Sequence, residues 1–226
     1  MFVSKKRYHK NIIEIFDIKN NDVISVIGGG GKTTTIKRLS AELNSRKIAH
    51  IVMTTTNMLV PQDKVYNDID DIRNNIFDKG IWVGNVIEKF DKKKLSIPSK
   101  EVLNFIFDEL KRPVLIEADG TRHKSIKINR EYEPVILPET TKVISVVGID
   151  VFSDIIAKVA HRPDELASFL NKNIDDLLTI EDVISVIHSD KGLSKGVLPY
   201  MKRFVLINKC DTRILQEKAI KLVNKI

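Results

Sequence analysis

The sequence has almost no cysteine, few aromatic residues and no long hydrophobic run. Cys210 is the single cysteine of the 226 residues, which excludes an intramolecular disulfide and a zinc site built from paired cysteines. Nowhere do the roughly eighteen apolar residues that a membrane-spanning helix needs run together. Aromatic residues make up 6%, too few for a typical basic and aromatic nucleic-acid surface. These absences predict a soluble, cytoplasmic protein with neither nucleic acid nor membrane among its partners.

The charge is basic but dispersed. Lys and Arg number 37 against 30 Asp and Glu, a formal net charge of +7, and they are spread along the chain. This dispersion is typical of a solvated surface, and nucleotide phosphate is the simplest anionic partner. The start, residues 1–7, is basic, but Glu14, Asp17 and Lys19 interrupt the apolar stretch after it, so no signal peptide is expected.

Short apolar runs alternate with amphipathic stretches. The runs are typical of strands buried on both faces, and they fall at 23–27, 51–54, 114–117, 143–147 and 204–208. Helical spacing appears between them, in Ile36, Leu39 and Leu43 and in Val102, Leu103, Ile106 and Leu110. The alternation predicts an α/β protein of three layers with a mostly parallel central sheet.

The second half of the chain combines an irregular segment with further helices. Residues 120–139 show no period and predict a long functional loop at the carboxyl edge of the sheet. Pro163 is expected to open one helix and Thr179 to cap another. We predict a single domain over residues 1–226, with a helical insertion at about 152–190.

A glycine run after the first predicted strand has the composition of a phosphate loop. It reads Gly28, Gly29, Gly30, Gly31, Lys32, Thr33 and Thr34. Glycines let backbone amides turn towards phosphate, the helix start adds partial positive charge, and the lysine reaches the terminal phosphates. Thr33 would supply its hydroxyl to Mg²⁺. The sequence therefore predicts a bound nucleoside triphosphate, GTP or ATP.

The spacing of this loop is short. The usual G-x-x-x-x-G-K-[ST] pattern would place glycine where Val26 stands, so a G-x-x-G-K-T form remains, which resembles the loop of Mur-type amide ligases. The alternative is a flexible turn with a solvated Lys32. Glycine costs roughly 0.5–1 kcal/mol relative to alanine inside an element, and a ligand close to the backbone would offset that cost.

Two carboxylates end the third apolar run. Glu117 and Asp119 precede Gly120, as in a Walker-B element. We expect Asp119 to hold Mg²⁺ with Thr33, and Glu117 to orient the attacking water or a substrate. The alternative is an ordinary strand-to-turn boundary with Asp-Gly as turn chemistry. Thr55, at the end of the second strand, is expected beside the phosphate loop, although threonine is also common in strands for no functional reason.

The last apolar run ends in a base-reading pattern. Asn208, Lys209, Cys210 and Asp211 match the N-K-x-D element of GTPases. There the aspartate accepts two hydrogen bonds from guanine, whereas adenine would leave it partly unpaired at a cost of about 1–3 kcal/mol. The pattern favours GTP over ATP. Cys210 is interpreted as a small packing residue and not as a selenium carrier.

These motifs together resemble the YqeC family, described as accessory proteins of selenium-dependent molybdenum hydroxylases. The resemblance rests on V-I-S-V-I-G-G-G-G-K-T-T, M-T-T-T, I-E-A-D-G, Glu133-Pro134, His161-Arg162-Pro163, K-G-L-S-K-G at 191–196 and N-K-C-D. It implies a P-loop protein with a molybdenum hydroxylase, or the proteins that assemble its cofactor, as partner. His161 and Arg162 are either contacts to an anionic cofactor or a surface turn.

A looser likeness is to GTPases that assemble the metal centres of urease and hydrogenase. Glu117 to Gly120 and Lys195-Gly196 hold the corresponding places, but the Cys or His metal ligands of those proteins are missing. Lys124, Lys127 and Arg130 are expected in a solvated loop, and the alternative is that they contact the phosphate of molybdopterin. Three functions stay open: a Mg²⁺-dependent GTPase in hydroxylase maturation, an ATP-dependent ligase or kinase, and a non-catalytic nucleotide-gated adaptor.

Overall fold

A seven-stranded parallel sheet forms the centre of the molecule. The computed structural model describes residues 11–89 and 91–226, so the basic start at 1–7 lies outside the described residues. The strands are β1 (Val23–Gly28), β2 (His50–Thr54), β3 (Met58–Leu59), β4 (Val65–Tyr66), β5 (Gly80–Val83), β6 (Asn85–Lys89), β7 (Lys92–Ser96), β8 (Val114–Glu117), β9 (Ile126–Lys127), β10 (Lys142–Gly148), β11 (Ala160–His161) and β12 (Lys202–Asn208). The order of strands in the seven-stranded sheet is β12-β10-β1-β8-β2-β5-β4.

Helices flank this sheet. They are α1 (Ile12–Ile15), α2 (Lys32–Ser45), α3 (Ile69–Asn75), α4 (Lys100–Asn104), α5 (Ile156–Val159), α6 (Pro163–Leu170), α7 (Ile180–His188) and α8 (Arg213–Val223). A π-helical segment, Phe105–Leu110, continues α4, and a 3₁₀ turn, Ile149–Phe152, follows β10.

The first strand shows why the sheet is buried on both faces. All six residues of β1 are buried. Ile24 packs in one apolar cluster with Leu39 of α2, whereas Ile27 packs on the opposite side with Ile106 of the π-helical segment. Burying one such side chain stabilises the fold by about 1.5–3 kcal/mol, so the near-continuous apolar pattern follows from helices on both faces.

The prediction of an α/β fold with a parallel central sheet is confirmed. Each of the five predicted apolar runs lies within a strand of the main sheet. Helix α6 begins at Pro163, and the side chains and amides of Thr179 and Asp182 form a reciprocal capping box at the start of α7, both as predicted. The sequence did not predict β4 and β5, nor the antiparallel sheet β3-β7-β6.

The predicted loop at 120–139 is partly ordered into a strand. Within it, β9 pairs in parallel with β11, so that Ile126 lies opposite Ala160 and Lys127 opposite His161. This pairing fastens the loop to the segment that carries α5, α6 and α7. Over residues 11–89 and 91–226, no helix is both long enough and apolar enough to cross a membrane.

The parallel topology gathers the predicted site residues at one edge. Strands β8, β1, β10 and β12 are consecutive neighbours in the sheet and run in the same direction. Their carboxyl ends therefore meet, and ligands of open α/β sheets bind at such an edge.

Replacing Thr179 with alanine is expected to lower the free energy of unfolding by about 1 kcal/mol. The reason is the loss of the side-chain acceptor for the amide of Asp182. Urea denaturation measures the change. Ser168→Ala, on the exposed side of α6, is the control and is expected to stay within about 0.5 kcal/mol of the parent. Equal effects of the two substitutions would contradict the capping account.

Candidate phosphate-binding site

The glycine run turns sharply between β1 and α2. Gly28, Gly30 and Gly31 have φ values of +89°, +77° and +124°, which side chains of L-residues rarely adopt. A Cβ on Gly28 would lie 2.3 Å from the carbonyl oxygen of Val146, and one on Gly30 would lie 2.3 Å from the amide nitrogen of Gly148. Close packing on β10 is thus a structural reason for these glycines, independent of any ligand.

The backbone amides of this loop fall into two groups. Those of Gly28, Gly29 and Gly30 donate to Asp119 Oδ2, the Val146 carbonyl and the Lys124 carbonyl, at 2.8, 2.9 and 2.9 Å. The amides of Lys32, Thr33 and Thr34 open the 14-residue helix α2, and no acceptor for them exists in the described part of the chain. The first turn of α2 is therefore where an anion would find unpaired donors and the positive end of a helix.

Lys32 is folded across the loop. Its side chain is buried, and Nζ donates to the Gly28 carbonyl at 2.8 Å and to Thr121 Oγ1 at 3.1 Å. The same ammonium lies 3.0 Å from Asp119 Oδ1, without hydrogen-bond geometry. The alternative of a flexible turn with a solvated Lys32 is wrong, because its ammonium group is buried in an ion pair with Asp119.

Glu117 lies beside the first turn of α2. The Thr33 hydroxyl donates to Glu117 Oε2 at 2.6 Å. Burial raises the pKa of Glu117, while the charge of Lys32 and the hydrogen bond from Thr33 act in the opposite direction. A carboxylate with a perturbed pKa beside unpaired amides is typical of a functional site.

Thr33 and Asp119, which were expected to hold Mg²⁺ together, have different partners within the chain. The Thr33 hydroxyl meets Glu117, whereas Asp119 receives the Gly28 amide and lies between two lysine ammonium groups. Thr55 is also placed differently from expectation: its hydroxyl donates to the Val135 carbonyl at 2.7 Å, and β8 separates its strand β2 from β1.

Lys127 is fully buried, with 0% of its side chain exposed, so its expected place in a solvated loop is wrong. Its Nζ lies 3.4 Å from Asp119 Oδ2 and donates to Glu133 Oε2 at 2.8 Å. The pairing of β9 with β11 carries the lysine inside, and local composition gives no sign of that. Lys124 is half-buried and donates to the Lys158 carbonyl, and Arg130 is exposed and donates to Glu165.

Glu133 is the next member of a row of alternating charges. Both its carboxylate oxygens accept from Arg162, each at 2.8 Å. Burial acts to raise the pKa of Glu133, but the hydrogen bonds from Arg162 and Lys127 outweigh it and lower the value from 4.5 to about 2. We name the row Lys32, Asp119, Lys127, Glu133 and Arg162 the charge row.

Arg162 of the His161-Arg162 motif is paired with Glu133 of the same chain. Arg162 has φ +58° at the N-terminal cap of α6, and its hydrogen bonds to Glu133 raise the pKa of its guanidinium. Burial, followed by the charges of Arg162 and Lys127, lowers the pKa of His161 from 6.5 to about 4, so the imidazole is neutral at pH 7. The anion that Arg162 contacts is a carboxylate of the same chain.

The N-K-C-D element meets the glycine loop. Asn208 Nδ2 donates to the Gly30 carbonyl at 2.8 Å, and Lys209 Nζ donates to Ser125 Oγ and Asp150 Oδ2, each at 2.7 Å. Asp211 is exposed and accepts no hydrogen bond from the described residues. Burial, and then the charge of Asp211, raise the pKa of the Cys210 thiol, as suits a packing residue.

A polar cleft of about 230 Å³ opens beside this element. Lys209, Asp150 and Ser125 line it together with His123 and Lys158. The sequence did not indicate Asp150 and Ser125, because they belong to no motif: Asp150 lies in the 3₁₀ turn after β10, and Ser125 accepts the Gly148 amide beside the glycine loop. Among residues 11–89 and 91–226, no group of three or more His, Cys, Asp or Glu could hold a metal ion.

The parallel sheet and the strand-loop-helix at its edge define an α/β protein with a P-loop NTPase-like fold. A family model described as YqeC protein matches residues 24–164, more than half of the chain, so the chain belongs to the YqeC family and the predicted resemblance is confirmed. Over 227 residues it is 26% identical to "Uncharacterized protein YqeC" of Escherichia coli (strain K12), covering 92% of this chain and 85% of that protein. No solved structure matches the chain.

The ion pairs of Glu133 predict a pH dependence of stability. Because the folded state lowers its pKa from 4.5 to about 2, the contribution of Glu133 is present above pH 4.5 and is lost as the pH falls towards 2. Urea unfolding between pH 6 and pH 3 is expected to show a smaller loss of stability in Glu133→Gln than in the parent.

Glu139→Gln is the matched control, since Glu139 is exposed and has no ion-pair partner in the described residues. It is expected to keep the parent's pH dependence. Identical pH profiles for the parent and Glu133→Gln would contradict the assigned ion pairs.

Proposed function

We propose that this protein binds a Mg²⁺–nucleoside triphosphate on the first turn of α2 and hydrolyses it, with GTP preferred over ATP. The observation that carries the proposal is the set of unpaired amides of Lys32, Thr33 and Thr34 beside a buried lysine. Three donors and a helix N-terminus attract phosphate, and the lysine adds a full positive charge. The Gly28 to Gly30 amides take no part, because protein acceptors already occupy them.

Thr33 and Glu117 are the residues that suit Mg²⁺. They offer a hydroxyl and a carboxylate oxygen 2.6 Å apart, and Mg²⁺ prefers oxygen ligands, commonly one or two from protein with the rest from phosphate and water. Bound there, the cation would neutralise charge on the phosphate oxygens. This revises the expected division of roles, because Glu117 replaces Asp119 at the cation and Asp119 serves as the counter-ion of Lys32.

In hydrolysis, a water oxygen forms a bond to the terminal phosphorus as the bond from that phosphorus to the bridging oxygen breaks. The chain's contribution is positional and electrostatic. Lys32 and the first-turn amides hold the phosphate oxygens, and Asn208 fixes the glycine loop through the Gly30 carbonyl.

The preference for guanine rests on the end of β12. The exposed carboxylate of Asp211 has no partner among the described residues and follows Lys209, which borders the polar cleft. A carboxylate matches the paired N–H donors of guanine, whereas adenine lacks that edge. The base is therefore proposed to lie between the cleft and Asp211.

Thermal unfolding with GTP, ATP and their Mg²⁺ complexes tests the proposal. A ligand at 100 times its dissociation constant adds about 2.7 kcal/mol of stability. Lys32→Met is expected to weaken binding of both nucleotides by about 10- to 100-fold, since hydrogen bonds to charged groups contribute about 1.5–3 kcal/mol. Asp211→Asn is expected to weaken GTP alone.

The matched control for Asp211→Asn is Asp175→Asn. Asp175 is an exposed aspartate between α6 and α7 with no partner among the described residues. It is expected to bind both nucleotides as the parent does. Equal shifts with ATP and GTP that Asp211→Asn leaves unchanged would refute guanine reading. No shift with any nucleotide would refute the proposed function.

Glu117→Gln is expected to remove most of the gain in nucleotide affinity that Mg²⁺ provides, while leaving binding without the cation close to the parent's. The reason is the loss of a charged oxygen ligand beside Thr33. Titration of nucleotide with and without Mg²⁺ measures the difference. If Asp119→Asn abolishes the Mg²⁺ effect and Glu117→Gln does not, the original assignment of Asp119 to the cation is restored.

We further propose that hydrolysis serves the maturation of a selenium-dependent molybdenum hydroxylase. This rests on the family resemblance, and nickel carriage is disfavoured because the described residues hold no cluster of metal ligands. Affinity capture with such a hydroxylase, with the nucleotide present and absent, tests the partnership. Phosphate release that the hydroxylase leaves unchanged would count against it.

A non-catalytic, nucleotide-gated adaptor is the second candidate. Two contacts of the segment 124–127 favour it. The Lys124 carbonyl accepts from the Gly30 amide, and β9 pairs with β11, so this segment contacts both the glycine loop and the strand that precedes α6. Nucleotide binding without turnover, together with nucleotide-dependent partner binding, would favour the adaptor over the GTPase. An ATP-dependent ligase or kinase, suggested by the short loop, would instead need ATP preference and an acceptor.

A further inference from the structure

Asp119 lies between two buried lysines. Its side chain is 0% exposed; Oδ1 lies 3.0 Å from Lys32 Nζ and Oδ2 lies 3.4 Å from Lys127 Nζ. Oδ2 also accepts the Gly28 amide at 2.8 Å. Lys127 is the only one of these two cations that holds a second carboxylate, Glu133 at 2.8 Å.

Nucleotide binding, as proposed above, cannot leave this arrangement unchanged. Lys32 must turn from Asp119 towards phosphate, because its ammonium here donates to the Gly28 carbonyl and to Thr121 and lies in an ion pair with Asp119. Asp119 would then be a fully buried carboxylate with one amide donor. A buried charge without a counter-ion is strongly unfavourable.

We propose that Lys127 is a positioning residue that replaces Lys32 as the counter-ion of Asp119 when nucleotide binds. This inference rests on the proposed function. Lys127 is already 3.4 Å from Oδ2, and Arg162 holds both oxygens of Glu133, so Glu133 stays paired when Lys127 moves towards Asp119. With Lys127 as its counter-ion, the buried carboxylate of Asp119 stays neutralised when Lys32 turns towards the phosphate.

The charge row predicts that Lys127→Met affects the nucleotide-bound protein more than the nucleotide-free protein. The parent row contains three cations and two carboxylates. Without Lys127, the nucleotide-free protein still keeps two complete pairs, Lys32 with Asp119 and Glu133 with Arg162. Only the nucleotide-bound state loses a counter-ion. The substitution should therefore weaken nucleotide binding far more than it weakens the fold.

Calorimetric titration with Mg²⁺–GTP measures the affinity of each variant. Lys127→Met is expected to bind at least about tenfold more weakly than the parent, because a buried carboxylate would be left without its counter-ion. In an Asp119→Asn background, Lys127→Met should cost no further affinity, because no carboxylate is left to neutralise.

Lys142→Met is the matched control. Lys142 is also a buried lysine, paired with Asp22 at the amino end of β10, away from the site. It is expected to lower stability and leave nucleotide affinity unchanged. Parent-like nucleotide affinity in Lys127→Met would overturn the inference while the proposed function stands. Failure of the parent and of Lys142→Met to bind any nucleotide would overturn both.

Glu133→Gln tests the inference if Lys127→Met does not fold. With Glu133 neutral, Asp119 is the carboxylate that remains beside Lys127, which also donates to the Gly120 carbonyl, so nucleotide affinity is expected to equal or exceed that of the parent. A tenfold loss of affinity in Glu133→Gln would contradict the replacement of Lys32 by Lys127.

Discussion

The burial of Asp119 is the constraint on which the site depends. A carboxylate at the end of β8 with no exposed surface needs cations and donors around it, and removing one partner of such a pair typically costs about 3–5 kcal/mol. The glycine loop supplies an amide, α2 supplies Lys32 and β9 supplies Lys127. One buried charge thus fixes the loop, the helix start and the segment after β8 relative to one another.

The same constraint links the glycine loop to the segment that carries α5, α6 and α7. Lys127 lies beside Asp119 on β9, which pairs with β11, and β11 leads directly to Arg162, which neutralises Glu133. Glu133 and Arg162, from the motifs Glu133-Pro134 and His161-Arg162-Pro163, therefore belong to the same charge row as Lys32 of the glycine loop. A change at Lys32 has a physical route to α6 through contacts of 2.8–3.4 Å.

The sequence predicted the parts of this structure that local pattern determines. Strands such as β1 follow from near-continuous apolar runs, and the start of α7 follows from Thr179 and Asp182. The burial of Lys127 could not be predicted, because it depends on a pairing between segments more than thirty residues apart. The pairing of Thr33 with Glu117 in place of Asp119 depends on where β8 ends relative to α2, which spacing alone does not define.

Backbone amide chemical shifts would show whether phosphate binds at the first turn of α2. On addition of Mg²⁺ and a non-hydrolysable GTP analogue, the amide resonances of Lys32, Thr33 and Thr34 are predicted to shift most, because their donors have no acceptor in the described chain. Those of Gly28 and Gly29 should shift less, since Asp119 and Val146 already accept from them. Saturation with the analogue that leaves the first turn of α2 unshifted would contradict the account.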